Sequence, residues 1–186
     1  VNGPQPTTAE QHVALAHPGD SPADVLCQSS LTALKKANGG VRGIATGTTF
    51  RRLVARALAK QIGPEVEKAC APYQYAMSTR AGTDCVGHAI RAATDADAEL
   101  TLISVDGVGA YDNITRESML SALAKLPGAS AILPFVVLSY GRTSTYAFQM
   151  ADGATETIEQ AEGGEQGYPL MPLLYCLGAN RAMDKI

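Results

Sequence analysis

The chain has no tryptophan, and aromatic residues of all kinds make up only 5% of its 186 residues. Its core must therefore come mainly from aliphatic side chains and alanine. Cysteine is sparse too, with four, at Cys27, Cys70, Cys85 and Cys176. No pair of them has metal-ligand spacing, and His12, His17 and His88 do not cluster with them, which argues against a cysteine–histidine zinc module. They read as reduced thiols of an intracellular protein, nuclear or cytoplasmic rather than secreted. No apolar run approaches the roughly 20 residues of a membrane helix, so no membrane partner is expected. The opening VNGPQPTTAEQ is not a secretory signal. Internal repeats and low-complexity tracts are lacking as well.

A further absence is local. Between Val25 and Pro64 there is no Asp or Glu, while the same stretch carries Lys35, Lys36, Arg42, Arg51, Arg52, Arg56 and Lys60. The whole chain has a net charge of −3, so these seven positive charges leave −10 for the remainder. A basic segment on an acidic body suits a polyanion-facing element, or else a solvated helix face. With 46% hydrophobic and 18% charged residues, the composition is that of one soluble domain, or one and a half.

Periodicity supplies the elements. Residues 31–36 and 41–46 are short β-type runs around Asn38-Gly39-Gly40, a hairpin signal because such turns need positive φ. The run 48–63 reads as a helix capped by Thr48 or Thr49, with Phe50, Leu53, Val54, Ala57 and Leu58 on its apolar face and Gly63-Pro64 at its end. A second helix is expected from about Thr83 to Ala96, lined by Val86, Ile90 and Ala93. Leu102 to Val105 is a continuous apolar run, predicting a central buried strand at 101–105 with helices behind it. Thr115 should cap the next helix, with Met119, Leu120 and Leu123 inward. Another helix covers about 130–138. Residues 143–150 and 156–161 predict a second hairpin, and a last helix starts near Pro169. The order predicts an α+β domain with helices on one face of a mainly antiparallel sheet.

Two motifs carry chemistry. TLISVDGVGAYDNITRESML (101–120) delivers Asp106 at the end of an apolar run, with Tyr111 five residues later. EGGEQGYPLMPLLYCLG (162–178) is a glycine-rich loop opening into a helix. Taken singly, Asp106 fits a metal ligand or a turn-starting carboxylate, and Tyr111 fits a substrate contact or plain core. Asp112 reads as a turn or helix-entry residue bonding backbone near Thr115. In this order and spacing the two motifs resemble the core of the reverse transcriptase palm, most closely that of non-LTR (LINE-type) retrotransposons. TALKKANGGVRGI (32–44) resembles the fingers hairpin of the same enzymes, and YQYAMSTRAGT (73–83) a template-side segment. The resemblance spans about residues 31–183. Tyr168 and Met171 depart from it, since many members carry Asp and Gly there. The aromatic-x-Asp-Asp motif is missing, so the chain is expected to be truncated before it.

The resemblance implies a partial right-hand polymerase: a poorly structured segment at 1–30, fingers and their connection at 31–98, a partial palm with a central antiparallel sheet at 99–186, and no thumb. It implies an RNA-directed DNA polymerase joining dNTPs to a DNA primer on an RNA template. Asp106 would be the catalytic carboxylate and, with the Gly107 carbonyl, would hold two Mg²⁺ ions whose other ligands lie outside this chain. Lys35, Lys36, Arg42, Tyr111, Gln166 and Gly167 would contact the incoming dNTP. Arg51, Arg52, Gln74 and Arg80 would face the template, with at least one of Arg51 and Arg52 solvent- or template-facing. Asp106, Tyr111, Gln166, Arg42 and Lys35 or Lys36 should converge on one cleft. The competing expectations are a catalytically dead retroelement remnant that at most binds nucleic acid, and an unrelated nucleotide-binding α+β enzyme using Asp106.

Overall fold

A computed structural model describes residues 21–77 and 79–183 of the chain. Most of the segment expected to be poorly structured, 1–20, lies outside the described residues. Its last part is ordered into elements. Helix α1 (Pro22–Cys27) starts at a capping box, where the Ser21 hydroxyl accepts from the Asp24 amide and the Asp24 carboxylate accepts from the Ser21 amide. Ser29 and Ser30 then open strand β1 and are buried.

The architecture is α+β, with one four-stranded mixed sheet among the described residues. Strands β1 (Ser29–Lys35) and β2 (Val41–Gly47) form the first hairpin, with Ser29 opposite Gly47 and Lys35 opposite Val41. Strands β3 (Ser144–Gln149) and β4 (Thr155–Gln160) form the second. Both hairpins fall where turn chemistry and alternation put them. They are joined through a short parallel pairing of β1 with β3, from Ser29–Tyr146 to Leu31–Phe148, giving the order β2-β1-β3-β4.

The expected central strand at 101–105 is a correction. Residues 100–107 form no strand, and they are exposed: Ile103 at 79% and Val105 at 87%. A continuous apolar run reports suitability for two-sided burial, but a strand also needs a neighbour to take its N–H and C=O groups. The sheet's edges are β2 and β4, and no described strand pairs with this run.

Helix α2 runs from Thr49 to Cys70, straight through Gly63-Pro64, where the sequence predicted an end. Proline removes one helical N–H, but Ile62, Val66 and Cys70 lie on either side of it in the core. Their burial outweighs the lost hydrogen bond. The longer helix also settles its rotation. The buried stripe is Arg51, Ala55, Ile62, Val66 and Cys70, while Phe50 and Leu53, expected inward, are exposed.

Helix α3 (Gly82–Ala96) forms as predicted, yet none of its residues is buried. After a single-turn helix α4 (Ala110–Asn113), helix α5 (Arg116–Lys125) starts at Thr115, whose hydroxyl accepts from the Ser118 amide, and buries Met119 and Leu123. A 3₁₀ turn at Ser130–Ile132 leads into α6 (Leu133–Tyr140). Helix α7 (Met171–Met183) packs on α5 and α2. Gly178 makes the first contact possible, since a Cβ there would come within 2.9 Å of Ser118 Oγ and 3.1 Å of Met119 Cγ. The core gathers Ile62, Val66, Met119, Leu123, Val136, Leu170, Met171 and Leu174. This scaffold holds the glycine-rich loop 163–167 between β2, α4 and α7.

Candidate functional site

The loop 163–167 is fixed by its own backbone before any side chain acts. The Gly163 amide donates to the Ile114 carbonyl at 2.9 Å, and the Gly164 amide to the Tyr111 carbonyl at 2.8 Å. Gly163 has φ +72°, and a Cβ there would sit 2.3 Å from the Asp112 carbonyl oxygen. Only glycine permits both the left-handed backbone and that approach. The Tyr168 amide returns to the Glu165 carbonyl at 3.2 Å, closing a turn with Gly167 at φ +102°. Glycine in the third place with positive φ suits a type II turn and puts Gln166 at its outward corner.

Two buried arginines brace this loop. Arg116 donates from Nε to the Gly163 carbonyl at 3.0 Å, and from Nη2 to Ser144 Oγ at 2.8 Å and the Gln160 carbonyl at 3.1 Å. Its Nη1 donates to the Arg142 carbonyl. One side chain thus ties the loop to the start of β3 and the end of β4. Arg51 is 3% exposed and pairs with Glu165 at 3.1 Å. The same Nη1 reaches Ser29 Oγ at 3.1 Å and the Cys27 carbonyl at 3.3 Å, and the guanidinium lies 4.4 Å from the Tyr168 ring centroid. Burial opposes the charge on Arg51, but the Glu165 carboxylate and the surrounding Tyr168 and Tyr140 rings hold it protonated more firmly than an ordinary arginine. Arg51 is therefore not template-facing, which corrects that expectation. Its charge is consumed inside the protein, and Arg52, one residue on, is the exposed one.

The two residues that depart from the polymerase pattern are packing residues. Tyr168 is buried beneath Arg51 and meets Tyr140 edge-on, with centroids 5.8 Å apart. Met171 is fully buried, and its Sδ fills the space where a Gly164 Cβ would lie.

An open groove of about 310 Å³ runs beside the loop. Its walls are Leu31, Gly43 and Ala45 of the first hairpin, Tyr146, Ile158, Glu159 and Gln160 of the second, and Gly164, Glu165, Gln166 and Asp112. Gln166 Nε2 donates to Asp112 Oδ2 at 3.4 Å. Gly167 lies against β2, with a Cβ position 3.4 Å from the Ala45 carbonyl oxygen.

The expected convergence is met in part. Gln166 lines the groove and Gly167 abuts it. Asp106 does not line it; that carboxylate and Gly107 sit in the exposed stretch. Asp112, read from sequence as a turn residue bonding near Thr115, contributes its carboxylate here instead. The turn role falls to Asn113, whose Nδ2 donates to the Val108 and Gly109 carbonyls. Tyr111 is half-buried and turns its ring to Tyr175, 5.2 Å away, so its side chain packs while its carbonyl holds the loop. Lys35, Lys36 and Arg42 meet around a separate hollow at the tip of the first hairpin. Strand alternation puts Lys35 on the face of Leu31, Gly43 and Ala45, and Arg42 on the reverse face. Gln74 spends its side-chain oxygen on the Ala76 amide at 2.8 Å, and Arg80 is exposed.

Sequence reasoning gave Asp112 only a turn role and passed over Glu165 and Arg116. The first two adjoin residues the motifs single out. Arg51 was read as template-facing; the stripe that buries it, with Ala55 four residues on, differs from the apolar face read from the sequence. Arg116 carries no sequence signal beyond its position at a helix start.

No protein-family profile matches the chain. The chain is similar to a retrotransposable-element protein. Over 162 residues, 85% of its length, it is 27% identical to the retrotransposable element SLACS 132 kDa protein of Trypanosoma brucei gambiense. The match covers 13% of that protein. Among the described residues, no helix is long and apolar enough to cross a membrane.

Proposed function

We propose that the chain is the fingers and partial palm of a retroelement reverse transcriptase, taking an RNA template, a DNA primer and dNTPs. The observation that carries the reading is the clasp between two distant motifs. The loop with Gln166 is hydrogen-bonded through Gly163 and Gly164 to the segment with Tyr111 and Asp112, beside a backbone-lined groove. The similarity to a retrotransposable-element protein over 85% of the chain supports the same reading.

Within it, Gln166 offers an amide that both donates and accepts, suited to a base or sugar edge, and Asp112 orients that amide. Gly43, Ala45 and Gly164 leave room for a flat ring against the backbone. Lys35, on the hairpin face that walls the groove, supplies positive charge for a triphosphate with Lys36 next to it, and exposed Arg52 and Arg80 do so for a template strand. Magnesium needs several oxygen ligands. Among the described residues no three His, Cys, Asp or Glu side chains are grouped to hold a cation.

The test is primer extension. The protein made from its whole reading frame is expected to copy RNA with Mg²⁺ and dNTPs, and Asp106→Ala to lose at least about 100-fold in rate. The 186-residue chain alone is expected to bind RNA in a salt-sensitive way without extending a primer. A parent protein that binds RNA but never extends a primer would point to a non-catalytic remnant. Full activity of Asp106→Ala would remove Asp106 from the reading.

A further inference from the structure

We propose that Arg51 and Glu165 are positioning residues that set the place of Gln166 in the groove relative to the first hairpin; the proposal rests on the nucleotide-site reading above. Three features carry it. First, Glu165 and Gln166 are neighbours on one turn that borders the groove: Glu165 is 2% exposed and anchored by Arg51, while Gln166 donates from Nε2 to Asp112. Fixing Glu165 therefore fixes the turn that carries Gln166.

Second, the loop's backbone bonds tie it to Tyr111 and Ile114 and not to the first strand. Gly163 and Gly167 both sit at positive φ, and the Glu165 side chain is its link to the sheet's first strand. Glu165 Oε1 accepts from Ser29 Oγ at 3.2 Å as well as from Arg51 Nη1.

Third, Arg51 stands at the first turn of α2, two residues beyond its start at Thr49, and β2 ends at Gly47. Ser29 is the first residue of β1 and pairs with Gly47. Arg51 also bonds Ser29 Oγ and the Cys27 carbonyl. The ion pair therefore joins both strand ends at the base of the hairpin to the turn bearing Gln166. Charge placed at the hairpin tip by Lys35 and the amide placed by Gln166 then keep a fixed separation, which a nucleotide held by both would require.

The experiment uses two variants of the protein expressed from its whole reading frame, Glu165→Gln and the double variant Arg51→Met/Glu165→Met. The second removes both charges at similar volume and keeps the fold if the first does not. In primer extension the parent activity is the control. The expected result is a dNTP KM raised about tenfold with kcat changed less than about threefold. A purely structural role would lower the fraction of active protein, hence apparent kcat, and leave KM unchanged; an unchanged KM overturns the proposal. The same substitutions in the 186-residue chain are followed by hydrogen–deuterium exchange. Faster exchange confined to 163–168, with 55–66 of α2 unaltered, is expected; unaltered exchange at 163–168 overturns the proposal even if the polymerase reading stands. A parent protein that extends no primer removes the polymerase reading and this inference with it.

Discussion

Two segments carry the sequence motifs of the candidate site, and the fold treats them differently. Residues 162–178 are built in: the loop is tied down by backbone bonds and two buried arginines, and the helix behind it lies in the core. Residues 100–108 are equally apolar in sequence but exposed, with Val105 and Val108 among the most exposed hydrophobics of the described residues. A motif becomes structure only when the groups that satisfy it fold beside it. Helix α7 finds α5 and α2; the 100–108 run finds no pairing strand among the described residues.

Truncation at matched positions probes this contrast most strongly. Leu174 is fully buried, so Leu174→Ala should cost about 4 kcal/mol through lost burial and the cavity left behind. Ile103→Ala should change stability by less than about 0.5 kcal/mol, as at an ordinary surface site. Urea unfolding of both variants measures the difference, and equal costs would mean that 100–108 is packed.

A smaller effect separates two glycines with similar backbone angles. Gly163→Ala forces a Cβ against the Asp112 carbonyl as well as into the left-handed region, and should cost about 3 kcal/mol. Gly153, at φ +88° in the second hairpin, has open space around it, so Gly153→Ala should cost only about 1 kcal/mol. Similar values for the two would show that the loop does not press on the Tyr111–Asp112 turn.

How far the sequence foretold this structure depended on whether a signal was local. Hairpins β1–β2 and β3–β4, the cap at Thr115 and the inward Met119 and Leu123 were legible because turn chemistry, capping and short-range periodicity act within a few residues. The end of α2 was misplaced because Pro64 is a local signal overruled by Ile62, Val66 and Cys70 in the core. Arg51 was assigned to a template because a lone arginine reads as exposed until its partner, 114 residues away, is known. The parallel pairing of β1 with β3 has no local signature. Gln166 was recognisable from its glycine-rich setting, whereas Asp112 became a groove residue only when α4 placed it beside Gln166.

The smallest expected effect contrasts thiols. Burial pushes the Cys176 thiol up to about 11, with Cys70 nearby adding to the shift. The folded state holds this proton more tightly than the unfolded chain, so the contribution is fully present below about pH 9 and is lost as pH rises towards 11. The urea midpoint should fall over that window, and less steeply in Cys176→Ala. Exposed Cys85 should react with a thiol reagent at pH 8 far faster than Cys176 does. A fast-reacting Cys176 would contradict the packing of α7.

The central claim is that loop 163–167, the Tyr111–Asp112 turn and the first hairpin together receive a nucleotide on a primer–template. The most direct measurement is NMR titration of the 186-residue chain with an RNA–DNA primer–template followed by a dNTP. The account predicts that the dNTP step moves the amide signals of 35–43, 111–112 and 163–167 together. Shifts confined to 100–108 or α3, or no dNTP-dependent shift at all, would contradict it.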